Sequence, residues 1–162
     1  MKYLAAAAML LMSPAYAQGA EPSATVSIAE DYLAAYSTFD TAVMAPFLAE
    51  DMVFYDPTSA NQSADGGPFM FEGKDEVLKG LGDYAGQYQS LSVDYDVERQ
   101  YESEGVVVFV ATLTWTVISP GGESASGSAP IVTAVTVKDS KVIKHTDYYD
   151  YKGNAVSFDT AP

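Results

Sequence analysis

Four stretches in the C-terminal half of the chain alternate apolar and polar residues with a period of two. That pattern predicts strands, because only an extended backbone turns successive side chains to opposite faces. From Ser90 to Glu102, Val93, Tyr95 and Val97 alternate with Asp94, Asp96 and Glu98. From Val106 to Ile118, Val107, Phe109, Ala111, Leu113, Trp115 and Val117 share one side, with threonines on the other. The segment SPGGESASGS then turns the chain, Ala129 to Lys138 returns, Asp139 and Ser140 form a tight hairpin, and Lys141 to Tyr151 is the last strand. The acidic row on the first of these strands reads as a solvated face rather than a calcium site, since alternate strand positions do not wrap an ion as a loop does.

The preceding residues carry helical spacing instead. Val26, Ile28, Ala29, Leu33 and Tyr36 predict an amphipathic helix over residues 25 to 37, with Glu30 and Asp31 on its polar side. A short irregular helix containing Pro46 is expected over 41 to 49. Met52 to Tyr55 reads as a strand that runs into a turn at Asp56-Pro57. The polar segment 58 to 68 is long enough to be a pocket rim, Phe69 to Phe71 is a short strand, and Lys74 to Tyr88 is a third helix. Helices followed by a run of antiparallel strands give an α+β order, with a curved sheet wrapped over the helices.

Lys2, the apolar run to Met12 and the small residues ending at Ala17 match a secretory signal peptide cleaved after Ala17, which predicts a periplasmic or secreted bacterial protein with no membrane insertion once the leader is removed. Residues 18 to 162 then form one domain. The formal charge of −14 argues against nucleic acid and anionic membrane surfaces as partners, since both would repel the chain. One histidine and no cysteine argue against a zinc or iron centre, so no metal or cofactor is expected. Neither the glycine pairs at 66–67 and 121–122 nor any serine sits in the context of a phosphate loop or a nucleophile elbow.

The chemistry is expected on the last strand. If Lys144 faces water, then Val142, Thr146, Tyr148 and Asp150 share its side, and Ile143, His145, Asp147, Tyr149 and Tyr151 look inward. An inward carboxylate needs partners, because burying it alone costs several kcal/mol, on the order of the desolvation of a polar group. It is either part of a structural network with His145 and tyrosine hydroxyls or a catalytic acid/base.

The order of elements, the stretch LAEDMVFYDP and the ending SKVIKHTDYYD resemble the NTF2-like superfamily, in particular its SnoaL-like and ketosteroid-isomerase-like members. The resemblance implies a cone-shaped α+β barrel in which three N-terminal helices pack on a curved, mostly antiparallel sheet. It implies that Tyr32 stands where the isomerases hold an oxyanion-binding tyrosine and that Asp56 matches their proton-shuttling aspartate. The isomerase acid expected after Ala129-Pro130-Ile131 is replaced by Val132. His145-Thr146-Asp147 matches the His-x-Asp ending of the cyclases, whose further histidine from an earlier strand has no counterpart here. The resulting expectation is a cofactor-independent isomerase, cyclase or dehydratase-like enzyme. Its catalytic candidates are Asp56, Asp147, His145 and Tyr32, and Tyr149, Trp115, Phe109, Leu113 and Val132 would line a pocket for a small apolar or aromatic ligand. The alternative is a non-catalytic ligand-binding or dimerisation module. On that reading Tyr32 is a core tyrosine of the first helix and Asp56 a turn cap. A homodimer is expected through the outer strand 106 to 118.

Overall fold

Residues 22–60, 62, 66–152 and 155–159 are described by a computed structural model. Ser23 is extended and its hydroxyl accepts from the Val26 N–H, which starts helix α1 (Ala24–Ser37). Residues Val26, Ala29, Tyr32, Leu33 and Tyr36 repeat on one face and are all buried. Asp40 caps the next turn by accepting from the Ala42 and Val43 N–H groups. The helix it starts, α2 (Thr41–Met44), gives way at once to a 3-10 turn over Ala45–Phe47, because Pro46 cannot supply the N–H an α-helix needs. Strand β1 (Leu48–Asp56) therefore begins earlier than expected and is longer.

Strand β2 (Phe69–Glu72) pairs antiparallel with β1, and α3 (Lys74–Ala85) follows it. Only α1 and α2 precede the first strand and the third helix follows β2, so the expectation of three N-terminal helices holds in part. The third helix lies close on β2 because Gly80 lacks a side chain. A Cβ there would stand 2.5 Å from the ring of Phe71.

Strands β3 (Ser90–Ser103), β4 (Val106–Ile118), β5 (Ser124–Lys138) and β6 (Lys141–Tyr149) form an antiparallel run. The hairpin at Asp139 and Ser140 has φ of 50° and 60°, the left-handed pair that matches strand twist. β6 then lies beside β1 in parallel, giving the order β2-β1-β6-β5-β4-β3 in a mixed sheet, with β7 (Ala155–Asp159) against the start of β5. Two expectations change here. Residues 124 to 128, read as turn, are strand with two neighbours. The segment 106 to 118 is not outer, since β4 lies between β3 and β5 and any self-association through it would use its face rather than its edge.

A bulge in β6 alters the parity of its first residues. The ladder steps from Val142 opposite Val137 to Lys144 opposite Thr136, which leaves Ile143 without a partner. Val142 is consequently buried on the same side as His145 instead of sharing the Lys144 face. Beyond the bulge His145, Asp147 and Tyr149 are buried and Lys144 and Tyr148 exposed, but Thr146, expected on the Lys144 side, is buried as well. The main core lies between the helices and the sheet. A second cluster around Ala111, Leu113, Ala129, Ile131 and Tyr149 borders a cavity at the open end of the sheet.

Candidate functional site

The cavity has a volume of about 850 Å³ and reaches from the Asp147 carboxyl, across Leu113, Ile131 and Trp115, to the face of α3. Its position follows from the strand parity. β4, β5 and β6 each turn one apolar row toward α1 and α3, and the helices cover only part of that row.

Asp147 is 5% exposed. Its Oδ1 accepts from the Thr133 hydroxyl on the neighbouring strand, and its Oδ2 accepts from the Tyr36 hydroxyl at 3.3 Å. Behind it, His145 is fully buried, with Nε2 2.9 Å from Oδ1 of Asp147 and Nδ1 3.0 Å from the Tyr32 hydroxyl. The Nε2 contact has ion-pair distance without the alignment of a hydrogen bond. The imidazole is packed among tilted rings, its centroid 4.5 Å from that of Tyr36 and 5.0 Å from that of Phe54.

Asp56 forms a separate network. Its Oδ1 accepts from the Thr58 N–H, the Thr58 hydroxyl and the Ser59 N–H at 2.9, 2.7 and 3.0 Å, and its Oδ2 accepts from the Tyr151 hydroxyl at 2.6 Å. The Thr58 hydroxyl in turn accepts from the Tyr149 N–H, and the Trp115 indole N–H donates to the Tyr149 hydroxyl. Asp56 therefore caps the 3-10 turn Pro57–Ser59 and ties the end of β1 to the end of β6.

Asp56, Asp147, Leu113, Trp115 and Tyr149 line the cavity together, whereas Tyr32 and His145 do not. Tyr32 is fully buried one helical turn before Tyr36, and it is Tyr36 that faces the cavity. Phe109 lies under α1 in the main core, four residues along β4 from Leu113 at the cavity wall. Val132 points outward, because its neighbours Ile131 and Thr133 point in. Tyr36, Tyr95 and Thr133 were not anticipated as site residues. Thr133 could have been found as the one polar residue in the inward row Ile131, Thr133, Val135, and Tyr36 as the residue four after Tyr32 on the same helix face.

Burial raises the Tyr32, Tyr36 and Tyr95 phenols well above the usual tyrosine range, and the nearby Asp147 carboxylate adds to the shift. Tyr151 is raised by burial and then by its bond to Asp56. These hydroxyls remain neutral donors. A carboxyl group so placed, with donors on both oxygens and a cavity in front of it, can take a proton from a bound molecule and return it. Among the described residues there is no cluster of His, Asp and Glu suited to a metal, and no helix is long and apolar enough to cross a membrane.

A family model described as a SnoaL-like domain matches residues 29–145. Among solved structures, a protein from Shewanella putrefaciens CN-32 described as a SnoaL-like polyketide cyclase is 20% identical, with a TM-score of 0.68 over 82% of this chain and 83% of that one. A protein of the same description from Shewanella denitrificans OS-217 is 18% identical, with a TM-score of 0.65 over 81% and 93% of the two chains. TerC, co-crystallised with polyporic acid, is also 18% identical, with a TM-score of 0.59 over 79% and 92%. None of the curated proteins compared matches the chain. At these identities the solved structures establish a shared fold, and with the family match spanning both helices and sheet, the chain belongs to the SnoaL-like domain family.

Proposed function

We propose that this is an exported enzyme that isomerises or cyclises a small carbonyl compound without a cofactor, with Asp147 as its acid/base. The reading rests on one observation above all: Asp147 is a nearly buried carboxyl group that lines an aromatic cavity and has His145 directly behind it. In the reaction the Asp147 carboxylate takes a proton from the carbon next to the substrate carbonyl, and the C–H electron pair passes into an enolate. The same carboxyl then returns the proton to another carbon in an isomerisation, or to the alkoxide formed when the enolate closes a C–C bond. No electrons are gained or lost. Tyr36 is the phenol close enough to Asp147 to serve the developing oxyanion. Asp56, whose Oδ1 holds three donors of the turn that follows it, acts as a structural cap in this scheme.

The TerC complex supports an aromatic ligand, as do the tyrosine and tryptophan walls. Export is supported by the leader pattern of residues 1 to 17, which lie outside the described residues; a mature protein recovered from the periplasm with Gln18 at its N-terminus is the expected result. The function is tested by following the exchange of α-hydrogens for deuterium in a panel of neutral aromatic 1,3-diketones by proton NMR. Exchange faster than in buffer is expected for the wild type and lost in Asp147→Asn, while the variant still binds the diketone as read by the fluorescence of Trp115, the chain's one tryptophan. Binding without exchange in the wild type would support the non-catalytic module instead.

A further inference from the structure

We infer that the cavity selects an organic cation: its ligand carries a protonated or quaternary amine on an apolar or aromatic body. The inference rests on the cavity being the ligand site, as in the proposed function, and does not require Asp147 to act as a base.

The charge of the walls is one-sided. Among the described residues four carboxyl groups line the cavity, those of Asp56, Glu76, Asp83 and Asp147, against a single lysine, Lys79. That lysine lies at the rim with its ammonium 2.6 Å from Asp83, so one rim carboxylate already occupies it. His145 can compensate Asp147, but only from behind, since it does not reach the cavity. Asp56 has no ion-pair partner among the described residues and is held by neutral donors only. An anionic ligand would find no free counter-charge in this site and would meet uncompensated carboxylates. A cation would gain from them.

The second, independent feature is the aromatic lining. Six of the chain's twelve tyrosines face the cavity: Tyr36, Tyr84, Tyr88, Tyr95, Tyr149 and Tyr151. Two pairs of them form corners, with Tyr149 and Tyr151 at 4.9 Å and 81° and Tyr84 and Tyr88 at 5.9 Å and 70°. Both corners line the same cavity, one at the end of β6 and the other at the end of α3. Trp115 extends this wall. Ring faces carry negative potential, and several of them around a desolvated ammonium attract it. Burial keeps the Tyr36, Tyr95 and Tyr151 phenols protonated, so they offer ring faces and hydroxyls rather than charge. A purely lipophilic ligand would use the rings but leave the Asp56 charge, held by four neutral donors, without a counter-charge.

The test uses three phenols of nearly equal shape and different charge: 3-(trimethylammonio)phenol, 3-tert-butylphenol and 3-hydroxybenzenesulfonate. Each is titrated into the wild-type protein, with Trp115 fluorescence reporting occupancy of this cavity and a Trp115→Phe variant supplying the blank. The expected result is binding of the cation at least about tenfold tighter than the neutral isostere, with the sulfonate weakest. The preference for the cation over the neutral phenol should shrink in Asp56→Asn, which keeps the Oδ1 acceptor of the cap. Equal affinity for the cation and the neutral phenol, or a preference for the sulfonate, would overturn the inference. So would the absence of binding by all three. If the diketones exchange but the cation shows no preference, the inference fails and the acid/base reading stands. If the cation is preferred and no diketone exchanges, the inference stands and the acid/base reading fails.

Discussion

The Tyr32 hydroxyl lies 3.0 Å from Nδ1 of His145, a contact between the first helix and the last long strand that joins residues 113 positions apart. It constrains the proton on the imidazole. If the phenol donates to Nδ1, the neutral ring carries its hydrogen on Nε2, toward Asp147. The reverse tautomer would aim a lone pair at the carboxylate 2.9 Å away. An Nε2–H imidazole or an imidazolium avoids that repulsion, although Nε2 and Oδ1 are not aligned as a hydrogen bond. Nitrogen NMR of the single histidine should show the Nε2–H or doubly protonated pattern and no Nδ1–H neutral form.

Substituting Tyr32→Phe keeps the ring and removes the hydroxyl from a fully buried position. His145 then loses its Nδ1 partner, and a cost of about 1 to 3 kcal/mol in urea unfolding is expected. Because Tyr32 does not line the cavity, its effect on turnover should fall on kcat more than on KM. A rise in KM alone would place Tyr32 at the ligand instead.

The cap formed by Asp56 predicts a separation of stability from chemistry. Asp56→Ala removes four hydrogen bonds, leaves the Tyr151 hydroxyl without its partner and frees the 57–59 turn, for a loss of about 2 kcal/mol or more. Asp56→Asn retains an oxygen for the cap and should lose less. In both variants α-hydrogen exchange per folded molecule should persist, whereas a complete loss in a folded Asp56→Asn would make this residue the proton carrier.

The buried phenols predict the direction of alkaline unfolding. Tyr32, Tyr36, Tyr95 and Tyr151 are raised above their ordinary value by burial, with carboxylate neighbours adding to the shift. In the unfolded chain a tyrosine ionises near pH 10, while in the folded protein these four retain their protons. Their contribution is therefore fully present below about pH 10 and is lost as pH rises above it, because the unfolded state then binds fewer protons. Tyrosinate absorbance should rise in two phases, exposed residues such as Tyr101 first and the buried set together with the loss of near-ultraviolet circular dichroism. A single smooth phase with the fold intact would contradict the burial.

Gly105 predicts a local backbone cost. Its φ is +83°, it follows Glu104 at φ 52°, and a Cβ on it would stand 2.8 Å from the Val137 carbonyl oxygen. Because the obstacle is backbone, Gly105→Ala should destabilise by at least about 1 kcal/mol, and by more if the Val137 N–H loses its bond to the Gly105 carbonyl. Thermal unfolding measures it.

Much of this architecture was legible in local pattern. Period-two alternation from Ser90 onward located the long strands, and the bounds of β4 agree residue for residue with the expectation. The same parity placed His145, Asp147 and Tyr149 on one face, because pleating turns alternate side chains to the same side wherever the ladder is regular. Asp56 before Pro57 carried the signature of a cap, a short-range interaction that needs only the next three residues.

What only the tertiary structure decided are relations between distant segments. The bulge at Ile143 depends on the partner strands and reverses the parity of Val142, which no alternation in β6 itself records. Tyr32 and Tyr36 lie on one helix face and are equivalent to helical periodicity. Their separation into a residue behind the histidine and a residue at the cavity comes from where α1 crosses β6 and how far it extends beyond it. Phe109 and Leu113 likewise share a row on β4, yet one lies beneath α1 and the other borders the cavity. The parallel pairing of β1 with β6 brings Asp56 near Tyr151 across 95 residues and so completes the cavity wall. The sequence by itself determined which way each side chain faces its own strand or helix, since that depends on backbone geometry over a few residues. Which of those faces meet, and which is left open to a ligand, was decided by long-range packing of the helices on the sheet.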